Sequence, residues 1–237
     1  MAETASPSLI LYHSPRACSL ACAIALEASG LPHALRIVDI RLGENRSDAY
    51  LAINTSGTVP TLQIGDAILT QAHAILIYIA AQSNRKMVPE AGTLDAARAH
   101  EWMAYISTTL HMAFRGVFKP AYFVGETDAQ AAVQAYAVAA VELALGHVAA
   151  RLGSHEFVFG SQPGVVDYYL FVFYLWIFDE RMGAAVAAPK AYAAHARRVF
   201  ALPETQRALA ASGLDTSYAG LRPTLGELGI DETAAAH

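Results

Sequence analysis

Short apolar runs of strand type occur in this 237-residue chain only before Ser83, and every periodic stretch after it is helical. Leu9 to Tyr12 reads as a buried strand. Ala17 to Ser29 reads as a helix with Leu20, Ile24 and Ala28 on one face, stopped at Gly30. Leu35 to Val38 is a second strand, Ser47 to Ile53 a short helix, and Gln71 to Gln82 a third helix. Between the last two lies a hairpin, Thr61 to Ile64 and Ile68 to Leu69, around Gly65-Asp66. The order is βαβαββα. A strand, crossover helix and strand favour parallel pairing, whereas the Gly-Asp loop makes the last two strands antiparallel, so a small mixed sheet carrying helices is expected.

Residues 84 to 92 form a polar connector holding Pro89 and Gly92. Beyond it, Leu94 to about Ala113 and Asp128 to Leu152 read as long helices. Val165 to Phe178 is apolar all round, as a central helix enclosed by others would be, and Tyr192 to Phe200 and Glu204 to Ala211 complete a bundle. Pro203 suits a first helical turn. The expected division is an α/β domain over 1–83, a linker over 84–93, an all-helical domain over 94–225 and an aperiodic tail over 226–237.

A net charge of −5 and the absence of any Lys or Arg run exclude the electrostatic footprint of a nucleic-acid binder. The apolar stretch Tyr168 to Phe178 is bounded by Asp167 and Asp179 and falls short of the roughly 20 residues of a bilayer span, so no membrane partner is expected. The polar N-terminus shows no export signal, which predicts a cytoplasmic protein. Cys18 and Cys22 stand four apart on one helix face, a poor disulfide geometry, and form no C-x-x-C pair. Any redox chemistry is then monothiol. The histidines, His13, His73, His100 and His155 among them, lack ligand spacing, and no metal is predicted.

Three local features carry chemistry. Cys18 falls where a strand and a Pro15-bearing turn enter an Ala-rich helix, and the positive end of a helix dipole favours a thiolate. Thr58-Val59-Pro60-Thr61 precedes the hairpin, where an X-Pro bond can be cis and leave the Val59 backbone as an open pairing edge. Gln71-Ala72 begins a helix directly after a strand, which suits a carboxylate. Together they describe a receptor for a short thiol peptide.

On these residues the chain resembles the glutathione transferase superfamily from Leu9 to about Gly213, and most of all its bacterial beta class. The beta-class loop Tyr-x-x-Pro-x-x-Cys-Ser-Leu is answered by Tyr12, Pro15, Cys18, Ser19 and Leu20. The resemblance implies a thioredoxin-like glutathione-binding domain, a helical domain with a second-substrate pocket, and a homodimer. It gives Cys18 a contact, and a possible mixed disulfide, with glutathione. Pro60 is implied to be cis and Gln71 to hold the γ-glutamyl end, with Ala17, Thr58, Val59 and Ala72 as further contacts. Glu101 to His111 resembles the helix whose histidine faces the thiol. His111 thereby inherits a proton-accepting or hydrogen-bonding role near its ordinary pKa of about 6.5, with Thr108 a turn earlier.

Ser14 and Tyr12 are reserve hydroxyls for the sulfur, as other classes use Tyr or Ser there, Ser14 being the stronger. Phe114, Arg115, Phe118, Tyr122 and Trp176 are expected to line the apolar pocket, some of them as bundle core. Gly43, Ala104 and Met112 replace polar residues of the family pattern, which leaves Arg46 as a substitute contact. The helical capping box keeps Asp167 but has Gly164 for the hydroxyl residue. The expected activity is conjugation of the glutathione thiolate to small apolar electrophiles, with glutathione as co-substrate and no metal. The alternatives are a glutathione-dependent disulfide or peroxide reductase using Cys18, and a non-catalytic binding protein.

Overall fold

A computed structural model describes residues 9–182 and 186–214, and these fall into two compact units, 9–88 with 201–214, and 89–200. In the first unit the chain runs β1 (Leu9–His13), α1 (Leu20–Ser29), β2 (His33–Ile37), α2 (Asp48–Leu51), β3 (Thr61–Ile64), β4 (Ala67–Thr70) and α3 (Ala72–Gln82). The strands form one sheet in the order β2-β1-β3-β4, with β1 parallel to β2, and β3 antiparallel to both β1 and β4. Leu11 is the pivot, paired with Leu35 on one side and Leu62 on the other. Along β1 the residues Leu9, Leu11 and His13 are buried and alternate with half-buried Ile10 and Tyr12, so the pleat turns His13 inward with the leucines. The expected βαβαββα thioredoxin-like unit is observed.

One expectation is corrected. The segment assigned to the helical bundle, α9 (Pro203–Ala211), belongs to the first unit, where it packs against α1. The cause lies in α1, whose residues Leu20 to Leu26 are all buried. A helix apolar all round must be covered on every side, and α3 and α9 both pack against it. Ion pairs at 2.8 Å fasten α9, from Arg207 to Glu27 and from Arg85 to the buried Glu204.

The second unit is helical among its described residues. It comprises α4 (Leu94–Tyr105), a wide π turn (Ile106–Leu110), α5 (His111–Phe118), α6 (Thr127–Leu152), α7 (Val165–Trp176) and α8 (Lys190–Phe200). Its core is α7, in which every residue from Val165 to Tyr174 is buried. Gly164 serves as the α7 N-cap, and its N–H donates to Asp167 Oδ2 at 2.8 Å, so the acid arm of the box holds without a hydroxyl partner. Asp167 Oδ1 also accepts from the Val158 N–H and from His195 Nε2, at 2.9 and 2.7 Å. Helix α6, at 26 residues, is long and apolar enough to cross a membrane; here it packs against α5 and α8. The end of the expected helical domain and the whole 226–237 tail lie outside the described residues.

Candidate functional site

In the first unit the sequence-predicted residues converge where β1, β3 and α3 meet. Ser14-Pro15-Arg16-Ala17 closes a turn through the Ala17 N–H to Ser14 carbonyl bond at 2.9 Å, as Ser then Pro at its first two positions favours. Cys18 follows, 7% exposed, with its thiol 3.8 Å from the Val59 carbonyl oxygen. The Val59–Pro60 bond is cis. A cluster of polar side chains holds this corner: the Tyr50 hydroxyl and Asn54 Nδ2 both donate to the Thr58 carbonyl, at 2.7 and 2.9 Å, and both reach Thr61 Oγ1. Gly57 completes it at φ +58°, where an added Cβ would lie 2.8 Å from the Asn45 carbonyl oxygen. Burial raises the Tyr50 hydroxyl pKa, so it stays a donor.

Helix α3 starts with no capping side chain, behind Gln71, an exposed residue at φ 71° and the only non-glycine at positive φ among the described residues. Such a conformation costs about 1–3 kcal/mol and collects at ligand-binding junctions. Cys22, in the first turn of α1, points its buried thiol at the Ala72 carbonyl at 3.9 Å, which ties the α1 and α3 starts together. Desolvation pushes the Cys22 thiol well up, so it is an inert packing group.

The helix start at Cys18 differs from expectation. Helix α1 begins at Leu20 rather than Ala17, so Cys18 lies in the entering turn. The N–H groups of Leu20, Ala21 and Cys22 already donate to the carbonyls of Ala17, Cys18 and Ser19. The thiol therefore has the helix dipole behind it but no row of open first-turn donors. The side chain of Arg46 is spent on the Ser56 carbonyl, at 3.3 Å.

In the second unit, His111 Nα donates to the Ile106 carbonyl and so closes the π turn. Its ring meets Phe173 and Trp176 edge-on, with centroids 5.4 and 5.2 Å away. Burial, assisted by the Arg115 charge, lowers its pKa to about 4 instead of the ordinary 6.5. The ring is neutral at working pH and a weak base, which corrects the expectation of a proton acceptor poised near neutrality. Phe114 is fully buried and packs on Phe118, Phe173 and Trp176, making it core beneath the half-buried Phe118 and Trp176. Arg115 stacks over Tyr122 at 4.7 Å, and Arg181 over Phe118 at 4.1 Å. Thr108 does not join this cluster; its hydroxyl donates to the Ala104 carbonyl, and it lines an apolar groove of about 1380 Å³ between α5 and α6.

Sequence reasoning passed over Tyr50, and gave no role in the site to Asn54, to His13 or to Ser19, which it read only as part of the loop string. The strand alternation of Leu9, Leu11 and His13 was the available signal for His13. No group of His, Cys, Asp or Glu suited to a metal occurs among the described residues.

A thioredoxin-like unit that gathers a cysteine, a cis-proline edge and an uncapped helix start, followed in sequence by a helical bundle, defines the two-part class of fold to which this chain conforms. Comparison with known proteins gives the class its name. The sequence profile described as Glutathione S-transferase, N-terminal domain matches residues 16–82. The glutathione S-transferase GstA of Escherichia coli O157:H7 is 30% identical over 207 residues, covering 86% of this chain and 98% of that one. Among solved structures, a glutathione transferase homolog from Sulfitobacter with bound glutathione superposes with a TM-score of 0.79 at 28% identity, covering 87% of this chain and 99% of that one. The bacterial beta class glutathione S-transferase of Sphingomonas chungbukensis gives 0.74 at 33% identity, over 86% and 99%. The chain belongs to the glutathione S-transferase family.

Proposed function

We propose that the protein is a beta-class, cytoplasmic glutathione transferase that conjugates the glutathione thiolate to small apolar electrophiles, a detoxifying reaction. The observation that carries this reading is the convergence, in one unit, of the Cys18 thiol, the Val59 carbonyl beside a cis peptide bond, and the uncapped α3 start behind Gln71. In this reading the Val59 backbone pairs with the tripeptide and the α3 start, with Gln71 and Ala72, receives its γ-glutamyl carboxylate. Ala17, Thr58 and Pro60 shape the walls, and the sulfur lies toward Cys18 and Ser14. The helix dipole lowers the thiol pKa, and each unit lowered raises the reactive fraction near neutrality by up to about tenfold. The thiolate attacks the electrophilic carbon, and the leaving group departs with the bonding pair.

The neutral His111 serves as a hydrogen-bonding group for sulfur or electrophile, and Phe118, Trp176 and Arg115 offer apolar and cationic surface for the second substrate, with Phe114 supporting them. Calorimetry with glutathione followed by turnover of 1-chloro-2,4-dinitrobenzene tests the proposal. Saturable binding with conjugation is expected, and the absence of binding would remove it. Because Cys18 stands at the Val59 edge, a reductase cycle through a Cys18–glutathione disulfide is the second reading. Cys18→Ala separates the two, since conjugation survives the substitution in a transferase and every activity is lost in a reductase.

We also infer a homodimer. The α5–α6 groove leaves Tyr136 and Leu143, 79% and 78% exposed, beside Met112 and Phe123. An apolar surface of that kind fits a second copy of the chain.

A further inference from the structure

His13 is fully buried and takes no part in the chemistry above, yet both its ring nitrogens are bonded. Nδ1 lies 3.0 Å from Ser19 Oγ and Nε2 lies 2.9 Å from Ser212 Oγ. The shorter serine–carbonyl bond, at Ser212 rather than Ser19, orients the chain of bonds. The Ser212 hydroxyl has one proton and donates it to the Ala208 carbonyl at 2.6 Å, so it accepts from His13 Nε2–H. Nδ1 is then an acceptor and takes the Ser19 proton. The same Ser19 oxygen accepts from the Ser14 N–H at 3.1 Å, and the Ser14 carbonyl, 3.1 Å away, is the competing acceptor for the Ser19 proton. Ser19 occupies the α1 N-cap position but makes no side-chain capping bond; its hydroxyl is turned back onto the turn instead.

From this geometry we propose that His13 and Ser212 are positioning residues for the thiol. They form a strut running from the end of α9 through His13 and Ser19 to the Ser14 backbone, and it fixes the turn that presents Ser14 and Cys18. The strut also accounts for the placement of α9 in the first unit, since Ser212 immediately follows α9 and every link lies within that unit. Cys18 is the residue next to Ser19, so a loosened Ser19 moves the sulfur directly.

The inference rests on Cys18 being a site residue, and its test needs no glutathione. The rate of Cys18 alkylation by iodoacetamide is measured on the ligand-free protein across about pH 6 to 9, with peptide mapping to separate Cys18 from the buried Cys22. Ser212→Ala is expected to change that rate by about threefold or more while the far-ultraviolet spectrum holds, and Ser212→Thr, which keeps the hydroxyl, to restore it. A wild-type alkylation profile in folded Ser212→Ala overturns the proposal. Should that variant fail to fold, nitrogen-15 spectra of the wild type decide: one fixed His13 tautomer is expected, and a ring averaging between the two tautomers refutes the strut.

Discussion

Burial holds the pKa of both His13 and His111 at about 4, against an ordinary 6.5. For His13 desolvation is the cause, and for His111 desolvation leads with the Arg115 charge behind it. Each ring is neutral in the folded protein but takes up a proton in the unfolded chain once the pH drops below 6.5. The unfolded state therefore binds more protons between those two values, and stability rises with pH there. The contribution is fully present above 6.5 and is lost progressively as the pH falls toward 4.

At 1.36 kcal/mol per pKa unit, the complete loss is about 3 kcal/mol per ring, and about 2 kcal/mol of it is gone by pH 5. Against a typical total of about 5–15 kcal/mol this is a large fraction. Urea unfolding near pH 7.5 and pH 5 measures it. Circular dichroism follows the whole chain, while tryptophan fluorescence reports the second unit, which holds Trp102 and Trp176. His111→Gln is expected to flatten the pH dependence of the fluorescence transition, and His13→Gln that of the remaining dichroism signal. Equal stability at the two pH values in the wild type, or an unchanged slope in the variants, would refute the reasoning.

Gly57→Ala forces a Cβ to within 2.8 Å of the Asn45 carbonyl at a positive φ. It should cost about 1–3 kcal/mol in urea unfolding and weaken glutathione binding in calorimetry, because the Thr58 corner shifts with it. Asp167→Ala removes the acceptor of the half-buried Val158 and Gly164 N–H groups and of the buried His195 Nε2. A loss of about 3–5 kcal/mol is expected from chemical denaturation, and a loss under about 1 kcal/mol would contradict the assigned bonds. Leu143→Glu places a charge on the exposed α6 face; light scattering is expected to find a dimer for the wild type and monomers for the variant, with the circular dichroism unchanged.

The parts of this fold that could be read in advance are those fixed by local chemistry. The Gly65-Asp66 loop dictates a hairpin, Gly30 ends α1 at φ 70°, and Pro203 opens α9 at a position whose N–H has no helical partner. The site was legible at Cys18 and Pro60 because their neighbours form a recognisable string. Partnership was not legible. Helical periodicity shows that α9 has an apolar face but not that α1 is its mate, and only the all-round burial of Leu20 to Leu26 decides it. Nor could the pKa of His111 be foreseen, since it depends on burial among Phe173 and Trp176, side chains some sixty residues distant in sequence.

The π turn shows how such a displacement can still have a local origin. The buried residues Ile106, Leu110 and Phe114 are four apart, and in a helix of about 3.6 residues per turn each such step overshoots by about 40°. A regular helix would carry Phe114 about 80° away from the face of Ile106, whereas one extra residue in a turn restores about 100°. The hydroxyls of Ser107 and Thr108 supply the cause, donating to the Met103 and Ala104 carbonyls at 2.8 and 2.9 Å. Side-chain bonds of that kind compete with the backbone ladder and bend it. The Ser-Thr-Thr run at 107–109 thus lets the wide turn form, and that turn keeps Phe114 in the core. It also points His111 at the α7 aromatics while Thr108 and Met112 face α6, which is why two residues expected to share one pocket lie on different sides of the same helix.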